Sequence, residues 1–270
     1  MTSLDLAATA DPVASADSAA LSAAAVAGVS LRELRRIDEH QAAVALLADI
    51  WGRPANPPIA PEMLRAFSKS GGYIAGAFDA DALVGVTVGF HAAPDLRALH
   101  SHIAGISPAV AGRSIGYAMK LHQRSWAVAR GIPVIEWTFD PLVSRNAYFN
   151  IRKLAAMPVE YLTNFYGIMG DGINGEDETD RLLIRWQLLD DEVAAAAMVG
   201  RARPVDPHAR GCIRVAVPSD IESLRREHPR RAREWRTRVR HELGAALAGG
   251  GRIIGFDRTE GYIVKTERDA

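Results

Sequence analysis

Residues Leu99–Gly131 read LHSHIAGISPAVAGRSIGYAMKLHQRSWAVARG, and this stretch decides the fold. From Leu99 to Ile106 the residues alternate with roughly the period of a strand. Pro108 interrupts the ladder, a short loop with Gly112 follows, and a helix opens near Ser114. Ile115, Ala118, Leu121 and Val128 fall on one helical stripe, and Gly131 is a natural terminator. A strand that runs through a glycine-bearing loop into a helix leaves backbone N–H groups unpaired at the helix start. Those groups and the helix dipole favour a phosphate.

Around this stretch the composition is that of a soluble globular chain: 270 residues, 48% hydrophobic and 24% charged. Lys plus Arg equals Asp plus Glu at 32 each, so global charge gives no argument for nucleic acid. Cys212 is the single cysteine, which rules out a disulfide within the chain and fits a reducing compartment. Residues 1–28 are rich in Ala, Ser and Asp, with no Lys or Arg before Arg32, so neither a basic signal start nor a transit peptide is expected. They are expected to be a disordered tail, with a frayed helix over Ser15–Ala27 as the alternative. No stretch is apolar enough to span a bilayer, and a cytoplasmic protein is expected.

The folded part is expected from Val29. A strand at Ser30–Leu34 precedes two helices, the second opening after Pro61. Tyr73–Phe78 and Leu83–Phe90 then form a hairpin around Asp79-Ala80-Asp81. After Gly131, VIEWTFD (Val134–Asp140) alternates Ile135, Trp137 and Phe139 with Glu136, Thr138 and Asp140, and Pro141 ends it. SRNAYFNIRKLAA (Ser144–Ala156) reads as a helix with Ser144 as N-cap. Met157–Tyr166 and Arg181–Leu188 read as strands, and the Gly-, Asn- and Asp-rich loop between them is a candidate substrate lid. From Asp190 the character changes to an alanine-rich helix, a Pro-bearing linker, a strand, two helices and a hairpin. This is a small α+β appendage over 190–270. Its helices carry Arg225, Arg226, Arg230, Arg231, Arg233, Arg236, Arg238 and Arg240, interleaved with Glu222, Glu227, Glu234 and Glu242. A solvated face of i,i+4 partners is the favoured reading and an anion surface the other.

The segment GISPAVAGRSIGYAMK (Gly105–Lys120) resembles the acyl-CoA binding motif of the GNAT superfamily of N-acetyltransferases. Ile106, Pro108, Gly112, Ile115, Gly116 and Ala118 match, whereas Ala111 stands where Arg or Gln is usual and Ser114 where a second glycine is usual. Ala147, Lys153 and Leu154 match the family's fourth helix, and Ile151 stands where it carries a tyrosine that can protonate the leaving thiolate. The order of elements resembles the family as well, over residues 29–189.

The resemblance implies an α+β fold, with a mixed central sheet flanked by helices. It also implies an acyltransferase using acetyl-CoA or another acyl-CoA as co-substrate, with no metal. Gly105, Ile106, Gly112, Arg113, Ser114, Ile115, Gly116 and Ser144 would then bind the coenzyme, an amide near Gly105 or Ile106 polarising the carbonyl. Glu136, His102 and His100 are the candidate bases. Tyr148 is the candidate acid from a different turn; otherwise no side chain serves. The acceptor expected is a small-molecule amine, with no nucleic acid or membrane partner, and a homodimer is possible. A non-catalytic regulatory module, or other acyl-CoA chemistry such as hydrolysis or decarboxylation, is the alternative; fold alone does not choose.

Overall fold

The alternating segments assemble into one seven-stranded sheet; the computed structural model describes residues 11–169 and 177–266. The strands are β1 (Ser30–Glu33), β2 (Tyr73–Asp79), β3 (Ala82–His91), β4 (Ala98–Ile106), β5 (Val134–Phe139), β6 (Met157–Leu162) and β7 (Arg181–Gln187). Their order is β1-β2-β3-β4-β5-β7-β6, and every pairing is antiparallel except β4 with β5. A parallel pair needs a crossover, and helix Ile115–Val128 supplies it.

The helices of this part are α1 (Pro12–Ala27), α2 (Ile37–Trp51), α3 (Pro61–Lys69), α4 (Ile115–Val128) and α5 (Ser144–Ala147), the last running into a π-helical turn over Tyr148–Lys153. Leu47 of α2 and Leu64 of α3 bury themselves against Val86 and Val88 of β3. The expected stripe of α4 is buried at Ile115, Ala118, Leu121 and Val128.

Over Pro12–Ala27 the expectation of a disordered tail does not hold. Asp11 caps α1 by accepting from Val13 N at 3.0 Å, Pro12 opens it, and Gly28 closes it in a left-handed conformation. Ala16, Ala19, Ala20 and Ala27 are buried, and α1 packs along α4. Alanines give a weak amphipathic signal, yet their small size lets two helices approach closely. Residues 1–10 of the expected tail lie outside the described residues. Residues 170–176 of the candidate lid loop lie outside them too.

The C-terminal region holds α6 (Asp191–Val199), β8 (Cys212–Val215), α7 (Ile221–Glu227), α8 (Pro229–Ala248), β9 (Arg252–Asp257) and β10 (Gly261–Lys265). Its strands form a second antiparallel sheet, β8-β10-β9. Val239, Leu243 and Tyr262 belong to the same buried cluster as Trp137, Ile151 and Leu182, so the appendage and the sheet share one core. The tyrosine hydroxyl of Tyr262 donates to Pro141 O at 2.8 Å. Among the described residues no helix is long and apolar enough to cross a membrane.

Candidate active site

Only three residue pairs join β4 to β5: Ala98 with Val134, Leu99 with Ile135 and His100 with Glu136. Beyond His100 the strands part, and a cleft of about 620 Å³ opens between Ser101–Ile106 and Trp137–Asp140. The β3–β4 register runs from Gly89–Ser101 to Val88–Ile103, which leaves His102 as the extra residue of a bulge. Gly105 has no room for a side chain, because a Cβ there would meet Trp51 of α2 at 2.8 Å.

A second cavity of about 720 Å³ lies over the loop from β4 to α4. Ser107 Oγ accepts from Ala109 N at 3.4 Å at the start of a single 3-10 turn, Pro108–Val110. Gly112 follows at φ +85° and Ser114 at φ +61°. The first helical bonds of α4 run from Tyr117 and Ala118 to Ser114 O, which leaves the N–H groups of Ile115 and Gly116 ahead of them, and these two residues line this cavity. The left-handed backbone at Ser114 accounts for the glycine that the resemblance leads one to expect there.

Lys120 lies where the two cavities meet. It lines both, as do Ala104, Ile106, Arg145 and Asn146. Its Nζ donates to Ser101 Oγ at 2.9 Å and to Gln123 Oε1 at 3.1 Å, and sits 3.9 Å from the centroid of the Trp137 ring. Burial lowers its pKa to about 7. Sequence reading passed over this residue. The available signal was its spacing, since Gly116, Lys120 and Gln123 share the helix face that looks at the parting strands. What hid it is that the groups enclosing it, Ser101 and Trp137, come from two strands of the sheet.

The expected site residues divide into two groups. Gly105 and Ile106 line the cleft, and Ile106, Gly112, Arg113, Ser114, Ile115 and Gly116 line the loop cavity. The guanidinium of Arg113, however, is engaged elsewhere: it donates to the Ala27 and Gly28 carbonyls, at 3.2 and 2.9 Å, and pairs with Asp79. Ser144 lines neither cavity and caps nothing, because the helix N-cap is Val143; Arg145, Asn146, Phe149 and Lys153 face the loop cavity instead. His102 lines the cleft. His100 packs with His102 and Phe90, and its pKa is held down to about 4 by burial, then by His102 and Lys120.

Glu136 does not line the cleft; it faces its cross-strand neighbour Arg185 at 3.7 Å. Tyr148 also lines neither cavity, since its ring lies under the Arg258 guanidinium, 4.2 Å from centroid to carbon. Ile151 is buried in the core and carries no proton. No tyrosine therefore occupies the expected acid position.

The C-terminal region closes one side of the cleft through Glu222 and Arg225 of α7. Here the expectation of a solvated arginine face holds only in part. Arg236 forks onto Asp140 with two bonds of 2.9 Å and reaches Asp177 at 3.0 Å. Arg225 bonds the same two carboxylates at 2.5 and 3.2 Å. Burial pushes the Asp140 carboxyl up, and the two arginines more than reverse it, to about 2. Arg240 grips Asp180 at 2.7 and 2.9 Å. Arg238 with Glu242 does form the expected i,i+4 pair on the outer face.

No protein-family model matches this sequence, and no curated protein does. Solved structures do match in shape. An N-acetyltransferase from Staphylococcus aureus Mu50 superposes with a TM-score of 0.50 at 13% identity, covering 59% of this chain and 98% of its own. An acetyltransferase of the GNAT family from Streptococcus pneumoniae gives 0.49 at 13% identity, covering 58% and 97%. With its single parallel pair, its parting strands and its loop-to-helix turn, the chain has the GNAT N-acetyltransferase fold, extended by a C-terminal region.

Proposed function

We propose that this protein is an acyl-CoA-dependent N-acyltransferase, with acetyl-CoA the simplest donor and a small-molecule amine the acceptor. One observation carries the reading: a cavity over unpaired helix N–H groups meets a strand-parting cleft at a shared edge of Ala104, Ile106 and Lys120. Such a pair of sites brings an acyl donor and an acceptor together in one geometry.

The residues fit a coenzyme A donor. The Ile115 and Gly116 amides and the α4 dipole suit a pyrophosphate, and Lys153 and Arg145 add cations at the rim of the loop cavity. Backbone groups do this work, so Ala111 in place of Arg or Gln costs little. The thioester would enter the gap beyond His100, where β4 has no β5 partner and its amides are free to polarise a carbonyl. Trp137 and Phe139 give the cleft an apolar wall that excludes water and strengthens every charge interaction inside it.

Calorimetric titration with acetyl-CoA and with free CoA tests the reading. Saturable binding is expected, weakened at least about tenfold by Gly116→Asp, which sets a carboxylate against the phosphates. The substitution strains little, because its Cβ meets only the tip of Ile106, at 3.1 Å. Absence of binding to either compound refutes the reading. A panel of primary amines, followed by thiol release, then identifies the acceptor class.

A further inference from the structure

We propose, resting on the acyltransferase reading, that Lys120 is a catalytic residue that carries the proton in both directions, from the acceptor amine to the departing thiolate. The two functions usually divided between a base and an acid would then fall to one side chain.

Its position supports this. Among the ionisable side chains expected at the start, Glu136 and Tyr148 lie outside the cleft and the loop cavity, whereas Lys120 lines both. Its charged form has a complete set of three partners: Ser101 Oγ, Gln123 Oε1 and the face of the Trp137 ring. Its neutral form is provided for as well. Gln123 Nε2 is buried without an acceptor, and a half-turn of that amide offers it to the lone pair of a neutral amine.

The groups around Lys120 set its titration. From β4 come His100 and the cleft-lining His102, both held neutral by burial. Beyond β5, Asp140 is neutralised by Arg225 and Arg236, and Glu136 faces Arg185. Across the cleft Arg145 is paired with Glu222. No carboxylate is left to hold the lysine charged, and burial alone brings its pKa to about 7. A group with that affinity gives up and regains a proton with little bias at neutral pH.

The step balances. The acceptor nitrogen attacks the thioester carbonyl and forms the C–N bond, and one N–H proton passes to Lys120 Nζ. As the C–S bond breaks, the electron pair leaves on sulfur, and Lys120 returns the proton to it. The products are the amide and free thiol, and Lys120 ends neutral as it began.

The chain has four lysines, Lys69, Lys120, Lys153 and Lys265, so selective 13Cε-lysine labelling reads each one by NMR, with Lys120→Arg assigning the signal. With CoA bound, Lys120 is expected to titrate near 7, well below the ordinary lysine value of about 10.4. Thiol release from acetyl-CoA is then followed with glycinamide as acceptor, and without it, when water takes the acyl group. Lys120→Arg and Lys120→Met are expected to bind acetyl-CoA within about threefold of wild type and to lose about 100-fold or more in turnover. The rise in rate through pH 7 should vanish with them. A Lys120 midpoint near 10, or turnover in both variants within about fivefold of wild type, overturns the proposal. So does an acetyl group found by mass spectrometry on Lys120 during turnover, which makes it a nucleophile. Failure of the wild-type protein to bind acetyl-CoA overturns the acyltransferase reading itself, an outcome visible before any variant is made.

Discussion

Arg236→Met is expected to cost about 3 kcal/mol of stability, within the range for breaking a buried ion pair. Arg236 is 3% exposed, and its bonds of 2.9, 2.9 and 3.0 Å go to carboxylates that are 8% and 7% exposed. The cluster balances two arginines, Arg225 and Arg236, against Asp140 and Asp177. Removing Arg236 takes one positive charge and three hydrogen bonds from two carboxylates in a dry site. Arg225 still touches both carboxylates, which places the cost at the low end of the roughly 3–5 kcal/mol such losses incur. For a chain of this size that corresponds to a fall of about 6–12 °C in Tm. Urea titration at pH 7 measures it.

Two controls separate charge from packing. Asp140→Asn with Arg236→Met restores the balance and should recover about 1.5 kcal/mol or more relative to the sum of the single changes. The deficit of Arg236→Met should also shrink on acidification to pH 4, because a carboxylate that has lost this partner takes up a proton more readily in the folded state than in the unfolded chain. A loss below about 1 kcal/mol at pH 7, or a deficit that does not change with pH, refutes the reasoning.

Ser114→Gly, at φ +61°, should raise stability by about 1 kcal/mol, read by urea titration, because a left-handed residue with a side chain is strained. Deleting residues 1–28 should lower Tm sharply or abolish soluble expression, since it strips α1 from α4 and takes the Ala27 and Gly28 carbonyls from Arg113; a deletion that melts like wild type refutes the packed helix. His100, with its folded pKa depressed to about 4 by burial, His102 and Lys120, favours the neutral form. Its contribution is therefore full above about 6.5 and declines as pH falls toward 4, by at most about 1.4 kcal/mol per unit; His100→Phe should remove that part of the slope in urea titrations across this range. Glu136→Gln should leave turnover within about twofold, because its carboxylate faces Arg185 rather than the cleft.

The sheet was legible because period-two alternation and turn residues are local signals. The strands read at Tyr73–Phe78, Val134–Asp140 and Arg181–Leu188 match β2, β5 and β7 within a residue or so. The phosphate-type loop was legible for the same reason, since Pro108, Gly112 and Gly116 each reflect a backbone requirement. Lys120 was not legible, because its burial comes from Ser101 and Trp137, which the sheet brings against α4 from two different strands. Nor were the partners of Arg225 and Arg236, because Asp140 and Asp177 lie far off in the chain, and charge in a helix says nothing of which side meets a distant carboxylate. That Tyr148 and Ser144 line neither cavity has a local origin: Val143 takes the N-cap in place of Ser144, and a π-helical turn begins at Tyr148, where α-helical spacing no longer assigns the faces.

The bond from Arg236 to Asp140 spans 96 residues, and that from Tyr262 to Pro141 spans 121. On the ribosome the strand bearing Asp140 emerges long before either partner. At about 5–20 residues per second the wait is on the order of 5–20 s. Through that interval the wall of the cleft has no closing half, and its carboxylate stays in water. A chain halted short of α8 would hold the β4–α4 loop complete while Asp140 still lacks Arg236, so the wall of the cleft is locked only by a helix made long after it.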